Sequence, residues 1–287
     1  MNCPVCKNSN SAFRFEINSY RILDCLSCTH RFTELELNPK KVTNIYSDQY
    51  FFGGKDGYPD YTLEKDMLIA RGEKYADITG RFMKPGTLFD VGAAAGFLMK
   101  GFKNKGWEVH GIEPNSNMTG YGKKELGLDI RTGTLESINN EPEVKADLVL
   151  MIQVIAHLFD LDRSMNAVER ILNKDGYLLV ETWDKNSIMA GILGQNWHEY
   201  SPPSTLNFFS KKTIDLLMGN HGFLKIASGR PGKKIHSRHA KSLLKHKLEN
   251  SHRLKWISGI EKLLPPNNYL PYPSEDLFWA LYEKNKK

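Results

Sequence analysis

The chain has 287 residues, of which 40% are hydrophobic and 25% charged, with a formal net charge of +6. This length and apolar content allow one large domain plus a small module, and they argue against a disordered chain. No window reaches the ~20 apolar residues that a membrane-spanning helix needs. The chain opens Met-Asn-Cys-Pro, without the apolar stretch of a secretion signal. We therefore expect a soluble, cytoplasmic protein.

All the cysteines lie near the N-terminus, in two Cys-x-x-Cys pairs separated by eighteen residues: Cys3, Cys6, Cys25 and Cys28. This spacing is typical of a four-cysteine zinc site, in which each tight turn directs two thiolates at one tetrahedral ion. Four protein ligands close the coordination shell, so we expect a structural zinc in a ribbon of residues 1–35. Free or redox-active thiols are the alternative, although a reactive pair normally occurs singly beside a βαβ unit. His30 could replace a cysteine, but we expect it to be a solvated side chain.

Residues 36–85 follow as a linker loop and a helix. The stretch 46–61 is rich in tyrosine and glycine and predicts a loop. Apolar residues then recur at nearly helical spacing from 61 to 83, and Pro85-Gly86 ends the predicted helix.

Strand and helix patterns alternate from residue 87 to the end of the chain. The predicted strands cover 87–91, 107–112, 128–132, 146–152, 176–181, 223–228 and 276–282, and the predicted helices include 97–105, 115–126 and 210–220, with another ending at 172. Such alternation predicts an α/β fold, a Rossmann-like seven-stranded mostly parallel sheet with helices on both faces.

A glycine-rich turn follows the first of these strands, in the sequence Asp90-Val-Gly-Ala-Ala-Ala-Gly96. Gly92 and Gly96 allow the chain to reverse into a helix with its backbone close to a ligand. Glu113 closes the next strand, 21 residues past Gly92, where a carboxylate can accept both hydroxyls of an adenosine ribose. A nicotinamide-binding domain would also have an acid at the position of Glu113. However, the third glycine of its motif would fall at Phe97, and such a domain would not need Asp90 before the turn.

These motifs, in this order, resemble the class I S-adenosylmethionine (SAM)-dependent methyltransferases, and among them the bacterial enzymes with an N-terminal zinc ribbon. The resemblance covers nearly the whole chain. Residues 88–98 are similar to the glycine-rich motif of the family, 107–114 to its second strand, 133–136 to its third-strand loop, 146–157 to its fourth strand and 172–181 to its fifth. Ala94 departs from the family's glycine, which we expect to be tolerated if its φ is negative. Ala156 stands where relatives often have the Glu of a Glu-His pair, so an acid/base role there is in doubt.

The resemblance implies a set of SAM-binding residues. The turn would hold the methionine moiety, Glu113 the ribose, the 134–136 loop the adenine edge, and the 153–154 loop the methionine end. The cofactor-binding candidates are Tyr58, Tyr61, Asp90, Gly92, Ala93, Ala94, Gly96, Phe97, Glu113, Pro114, Thr134, Leu135, Glu136, Gln153 and Val154. Thr134 and Gln153 could instead be ordinary strand-end caps. Tyr58 and Tyr61 could cover the cofactor or simply pack against the fold.

Methyl transfer from a sulfonium is an in-line displacement, so the protein aligns the reactants, excludes water and, for a hydroxyl or carbon acceptor, removes a proton. His157 is the leading catalytic candidate because it follows the fourth strand at the edge of the sheet where such folds bind ligands. The alternative is a histidine that only packs or caps a helix. His198 and Tyr200, in an aromatic insertion after the fifth strand, are further catalytic candidates. Relatives often carry His where this chain has Thr205.

The positive charge is concentrated between residues 230 and 257, which hold nine Lys or Arg against one acid, Glu249. Together with apolar residues at helical spacing, it predicts a basic helical insertion at about 230–264 within a methyltransferase domain of 86–287. Such a helix usually docks on its own domain, but it could attract a sugar nucleotide, anionic lipid or RNA.

The sequence thus favours a SAM-dependent methyltransferase acting on a small molecule, such as a nucleotide-linked sugar or surface-glycan precursor. One alternative is an RNA methyltransferase that uses the ribbon and the basic segment. Another is a non-catalytic scaffold that retains a degenerate methyltransferase fold.

Overall fold

A computed structural model describes residues 1–35, 61–138, 144–232, 234–236, 269–271 and 274–285. Within these residues, none of the helices has the length and apolar character needed to cross a membrane. Residues 1–229 and 276–287 form one compact unit, and residues 230–275 form another.

The centre of the first unit is a seven-stranded sheet, as the sequence predicted. Its strands are β4 (Thr87–Val91), β5 (Glu108–Glu113), β6 (Asp129–Thr132), β7 (Ala146–Ile152), β8 (Leu172–Trp183), β10 (Phe223–Gly229) and β13 (Leu277–Lys284). They lie in the order β10-β13-β8-β7-β4-β5-β6. β13 pairs antiparallel with both β10 and β8, and the other pairs in the sheet are parallel. β7 is buried almost throughout, in accord with its continuous apolar run. The reversal of strand order beside β4 places the ligand crevice of such sheets next to the glycine-rich turn.

Helices precede and connect the strands of this sheet. They are α1 (Lys65–Thr79), α2 (Phe97–Asn104), α3 (Ser116–Leu126), α4 (Leu161–Ile171), α5 (Ile188–Leu193) and α6 (Lys211–Asn220). A short 3-10 turn, Tyr61–Glu64, leads into α1. α1 and α2 cross with their backbones in contact, because a Cβ on Gly72 would lie 2.3 Å from the Leu98 carbonyl oxygen. α1 is therefore fixed against the helix that begins at the glycine-rich turn.

The N-terminal ribbon is built from two similar knuckles with a hairpin between them. In each knuckle the first cysteine's carbonyl accepts the amide four residues later, at Lys7 and at Thr29, both at 2.9 Å. The hairpin strands, β1 (Ser11–Ile17) and β2 (Tyr20–Cys25), pair antiparallel. The second knuckle leads into β3 (Arg31–Thr33), which pairs with β2.

The ribbon sheet is completed by β9 (Asn207–Phe208), which pairs with β3. β9 comes shortly after the aromatic residues 195–203, and together they form the insertion of residues 195–208. Ribbon side chains also belong to the hydrophobic core of the large sheet, among them Val5, Leu23 and Phe32. Backbone hydrogen bonds between β3 and β9 thus join the ribbon to the insertion.

Part of the unit of residues 230–275 is described. Its strands β11 (Lys234–His236) and β12 (Tyr269–Pro271) pair antiparallel, and Arg230 lies 3.8 Å from Glu275. Residues 234–236 therefore form a strand, where the sequence predicted the beginning of a basic helical insertion. The rest of that prediction, 237–264, lies outside the described residues, and so does Tyr58.

Candidate active site

The glycine-rich turn lies at the carboxyl end of β4, between the ends of β5 and β7. Gly92 has a φ of +68°, and a Cβ at this position would lie 2.6 Å from Cγ2 of Val154. The amides of Gly92 and Ala93 both donate to the Ile112 carbonyl, at 2.8 and 3.1 Å. The turn is thus held against two neighbouring strand ends, and glycine is required where it touches the 153–154 loop.

Ala94 corrects one expectation from the sequence. Its φ is +47°, not negative, so it adopts the left-handed conformation that favours glycine. The amide of Ala94 donates to Oε2 of Glu113 at 2.9 Å. This hydrogen bond to a buried carboxylate offsets the cost of the strained backbone.

α2 begins directly after this turn, with Gly96 in the left-handed conformation at its N-cap and no side-chain cap. The first turn of α2 therefore offers backbone N–H groups without an internal acceptor. Tyr61 is buried and stacks on Phe97 at a centroid distance of 5.4 Å. Tyr61 thus lies at the start of α2, where it packs against the fold.

Two buried carboxyl groups, those of Asp90 and Glu113, lie beside the glycine-rich turn. Glu113 accepts the Ala94 amide on one oxygen and the Asn115 amide on the other, at 2.8 Å. Burial raises the pKa of Glu113 to about 7, opposed by these two amides. Burial and the nearby Glu113 raise the pKa of Asp90 to about 8. Among the described residues, Asp90 Oδ2 has no hydrogen-bond partner, so it could accept a hydrogen bond from a polar ligand.

The next loop continues this rim. The Gly133 amide donates to the Glu113 carbonyl at 2.9 Å, and Thr134 precedes a 3-10 turn, Leu135–Ser137. Glu136 is buried, and within the described part of the chain its Oε1 has no partner. Burial raises the pKa of Glu136, opposed by hydrogen bonds to its carboxylate. Pro114 connects Glu113 to Asn115, whose side chain caps α3 through the amides of Asn117 and Met118.

A buried ionic cluster that the sequence did not predict adjoins the 153–154 loop. Glu181, fully buried near the end of β8, accepts from Arg71 on one oxygen and from the Tyr75 hydroxyl on the other. The side-chain Nε2 of Gln153 donates at 3.0 Å to Oε1 of Glu181, the oxygen that also accepts from Arg71. The backbone amide of Gln153 donates to the Glu181 carbonyl at 2.8 Å. Gln153 has a φ of +60°. The cluster thus joins α1 to Gln153 through Glu181. The sequence feature that could have predicted the cluster is an acidic residue within an apolar strand.

His157 is held by the aromatic insertion. Its Nδ1 lies 2.6 Å from the Ser204 carbonyl, which can only accept, so Nδ1 carries the proton and Nε2 the lone pair in the neutral ring. Burial lowers the pKa of His157, opposed by the Ser204 carbonyl. The ring is therefore neutral at physiological pH, as a proton acceptor must be. Ala156 beside it is buried and accepts the Leu206 amide at 2.9 Å.

The other catalytic candidates differ in their surroundings. His198 is exposed, and its ring packs 4.6 Å from that of Trp183. Tyr200 is buried, and its hydroxyl accepts from Arg31 of the ribbon. Burial raises the pKa of Tyr200, opposed by the Arg31 charge. Thr205 is buried and bonded to the Ser201 hydroxyl at 3.1 Å. The ribbon thus contacts a residue proposed for catalysis.

The four cysteine sulfurs converge as a metal site requires. They lie within 4.8 Å of one another, with Cys3 and Cys28 at 3.6 Å and Cys6 and Cys25 at 3.5 Å. A tetrahedral zinc with ~2.3 Å bonds needs sulfurs about 3.8 Å apart. Burial raises the pKa of Cys3 to about 11, whereas at Cys25 the amides of Cys28 and Ser27 outweigh burial and lower the pKa to about 7. The residues fit one zinc ion.

His30 was wrongly expected to be solvated. It is fully buried, its ring is stacked on Phe32, and its Nε2 lies 3.3 Å from Oδ1 of Asn207. Burial lowers the pKa of His30 to about 3. The cysteine cluster does not include it, so His30 packs the ribbon against the insertion.

Comparisons with known proteins agree with this geometry. A family model described as a methyltransferase domain matches residues 67–228, more than half of the chain. Ubiquinone biosynthesis O-methyltransferases of Bradyrhizobium sp. (strain ORS 278) and Rhodopseudomonas palustris (strain HaA2) are 25% and 28% identical to it. These matches cover 45% and 50% of this chain and 56% and 60% of the relatives. The chain thus spans about half the length of the curated relatives it matches.

Solved structures share the fold at low identity. A 1,6-didemethyltoxoflavin-N1-methyltransferase of Burkholderia thailandensis, with bound S-adenosylhomocysteine, matches at a TM-score of 0.53 and 10% identity, covering 96% of this chain and 100% of that one. A SAM-dependent methyltransferase of Archaeoglobus fulgidus matches at a TM-score of 0.52 and 16% identity, covering 78% and 99%. With the seven-stranded sheet and the family match, these findings show that the chain belongs to the class I SAM-dependent methyltransferases.

Proposed function

We propose that the protein transfers a methyl group from SAM to a small-molecule acceptor, a nucleotide-linked sugar or a surface-glycan precursor. The observation that carries this proposal is the set of buried acids around the glycine-rich turn. Asp90 and Glu136 each retain a buried oxygen with no partner among the described residues. Such atoms are costly unless a ligand satisfies them, and a cationic sulfonium with hydroxyl and amino groups supplies both charge and donors.

The turn and its rim would hold the donor in the order that the family implies. Gly92, Ala93, Ala94, Gly96 and Phe97 would hold the methionine moiety, with Asp90 behind them. Glu113 and Pro114 would face the ribose, Thr134, Leu135 and Glu136 the adenine, and Gln153 and Val154 the methionine end. When bound, SAM supplies an electrophilic methyl group. Tyr61 would brace the start of α2, and Tyr58 stays a candidate outside the described residues.

His157 is the residue that we propose accepts the acceptor's proton. The Ser204 carbonyl fixes its protonated Nδ1, which directs the basic character to Nε2. A positioned base contributes roughly 10²- to 10⁴-fold to such a step. The curated relatives are named O-methyltransferases, and a hydroxyl acceptor requires this proton removal. His198 and Tyr200 would then shape the acceptor pocket.

The zinc that we propose for Cys3, Cys6, Cys25 and Cys28 is structural. All four ligand positions would come from the protein, so no position is open for substrate. Its contribution would be to fold the ribbon against the insertion that holds Tyr200 and Ser204. No zinc chemistry enters the methyl transfer.

Calorimetry with S-adenosylhomocysteine on the purified full chain tests the cofactor assignment. We expect binding by the wild type, and at least about tenfold weaker binding by Glu113→Ala, since hydrogen bonds to a charged group contribute about 1.5–3 kcal/mol. Glu108→Ala, at the exposed start of the same strand, is the matched control and should bind as the wild type does. Absence of binding by a folded wild type would sink the proposal and favour the scaffold alternative.

Acceptors are then screened by single-turnover transfer of a labelled methyl group. The wild type should methylate a sugar nucleotide or related small hydroxyl compound, and His157→Ala should slow the chemical step without weakening S-adenosylhomocysteine binding. Salt-dependent RNA binding combined with RNA methylation would instead support the RNA alternative.

A further inference from the structure

One face of the ribbon sheet carries an unusual excess of positive charge. Asp24, on the central strand β2, is opposite Arg31 on β3. Arg31 binds both carboxylate oxygens of Asp24, at 2.7 and 2.8 Å, and Arg14 of β1 lies 3.8 Å from Oδ2 of the same group. A single carboxylate is therefore shared between two guanidinium groups.

A third cation, Lys185, comes from the large sheet. Lys185 follows the end of β8 by two residues, and its amide donates to the Phe209 carbonyl at 2.8 Å, which fixes its backbone beside β9. Its side chain is half-buried, and its Nζ donates to the amide oxygen of Asn186 at 3.1 Å. Within the described part of the chain, no carboxylate lies within salt-bridge distance of this ammonium.

Two guanidinium groups and two carboxylates act on the Lys185 ammonium. Burial lowers the pKa of Lys185, and the charges of Arg31 and Arg14 lower it further, against the raising effects of Asp24 and Asp184. Asp184 is itself engaged by the Asn186 amide at 3.0 Å. Three cations thus face two carboxylates that already have partners, and a half-buried ammonium in such surroundings is stabilised by an anion.

Hydrogen-bond donors are also in excess. A guanidinium has five N–H donors, and the contacts of Arg31 with Asp24 and Tyr200 use three of them. Lys185 has three donors and uses one on Asn186. These contacts leave two N–H donors of Arg31 and two of Lys185 over, and spare donors on cationic groups bind oxyanions.

The location connects this cluster with the acceptor. Arg31 donates to the Tyr200 hydroxyl, and Lys185 is two residues past Trp183, whose ring contacts His198 at 4.6 Å. The cluster also lies at the carboxyl end of β8, the edge at which open α/β sheets bind ligands.

We propose that Lys185, Arg31 and Arg14 form an anion subsite that binds a phosphate group of the methyl acceptor. This proposal rests on the proposed function, because it assigns the acceptor to phosphorylated compounds such as nucleotide-linked sugars. A phosphate matches the site better than a carboxylate, since it carries more charge and more acceptor oxygens for the remaining donors. The ribbon thereby supplies two of the three side chains that select the substrate class.

The test is calorimetric titration of inorganic pyrophosphate into the full chain saturated with S-adenosylhomocysteine. The wild type should bind pyrophosphate, and Lys185→Gln should bind it about tenfold more weakly or worse, as for a lost charge-assisted hydrogen bond. Arg14→Gln, which removes an exposed side chain without disturbing the Arg31–Asp24 pair, should also weaken binding. Lys211→Gln is the control: its exposed ammonium lies 4.0 Å from Oδ2 of Asp184, it is not among the three proposed ligands, and the variant should bind as the wild type does.

Three outcomes would overturn the proposal: no pyrophosphate binding by the wild type, equal binding by Lys185→Gln, or tighter binding of malonate, a dicarboxylate, than of pyrophosphate. S-adenosylhomocysteine binding, measured first, separates this failure from that of the proposed function. If the chain binds S-adenosylhomocysteine but not pyrophosphate, only the proposal of the phosphate subsite fails. If it binds neither compound, the proposed function fails as well.

Discussion

The backbone amide of Ala94 and the carboxylate of Glu113 are joined by a hydrogen bond of 2.9 Å, although Ala94 has a φ of +47°. The strained residue of the glycine-rich turn thus donates to the acid that we propose holds the ribose. Since the Ala94 conformation directs its N–H at Glu113, the turn and the second strand behave as one preformed unit. The family's glycine at this position would make the same hydrogen bond without strain.

Ala94→Gly should therefore stabilise the protein slightly. Relief of a left-handed alanine is worth about 1–2 kcal/mol, and the added freedom of the unfolded chain removes about 0.5–1 kcal/mol of this gain. Urea unfolding should show a higher midpoint with unchanged binding of S-adenosylhomocysteine. Ala95→Gly is the matched control, because Ala95 is fully buried and its φ is not positive. It should be less stable than the wild type, and equal effects of the two substitutions would refute this account of the turn.

Asp90 predicts a pH dependence of stability. Its pKa is raised from 3.8 to about 8 in the folded protein, so the native state binds a proton that the unfolded state releases above pH 4. Stability from this group is therefore lost as the pH rises from about 4 to 8. The neutral Asp90→Asn variant should become progressively more stable than the wild type over that range, by at most about 1.4 kcal/mol per pH unit. Unfolding curves at pH 5 and pH 8 with the same stability difference would contradict the raised pKa.

The sequence predicted the sheet well because its strands are determined by local patterns. The run Ala146–Ile152 is apolar apart from Asp147 and forms β7 with the predicted bounds, and α6 (Lys211–Asn220) matches the helix predicted over 210–220. β8 was predicted to begin at 176 but begins at Leu172, since pairing with Ala146 extends it through residues of low strand propensity.

The errors concern contacts between distant parts of the chain. His30 was expected in solvent, yet Asn207 and Phe209, far along the chain, contact it. The partnership of Glu181 with Arg71 and Tyr75 spans 110 and 106 residues. No local periodicity reports such pairs, whereas the convergence of the four cysteines could be predicted because their spacing itself encodes the geometry.

Glu181→Gln should strongly destabilise the protein. Its carboxylate accepts from Arg71, Tyr75 and Gln153, and removal of the charge leaves the Arg71 guanidinium buried without a counter-ion. Breaking one side of such a pair typically costs about 3–5 kcal/mol. A double-mutant cycle with Arg71→Met checks the cause: the double variant should lose much less than the sum of the two single losses. Additive losses would show that the two side chains act independently. Asp77→Asn, in the exposed pair with Lys105, should change stability within experimental error.

Loss of zinc should loosen the aromatic insertion as well as the ribbon. β3 pairs with β9, and the Thr33 amide donates to the Leu206 carbonyl at 2.9 Å, so the insertion loses its edge partner when the ribbon unfolds. In hydrogen exchange, Cys25→Ser should lose protection at residues 1–35 and 204–208 but not at 87–113. Metal analysis should find one zinc per wild-type chain and none in the variant. Ser27→Ala, an exposed change in the same knuckle that keeps the backbone amide, should retain zinc and protection. A variant that lost ribbon protection while 204–208 stayed protected would show that the insertion is ordered without the ribbon, and the ribbon would then have no structural part in the acceptor site.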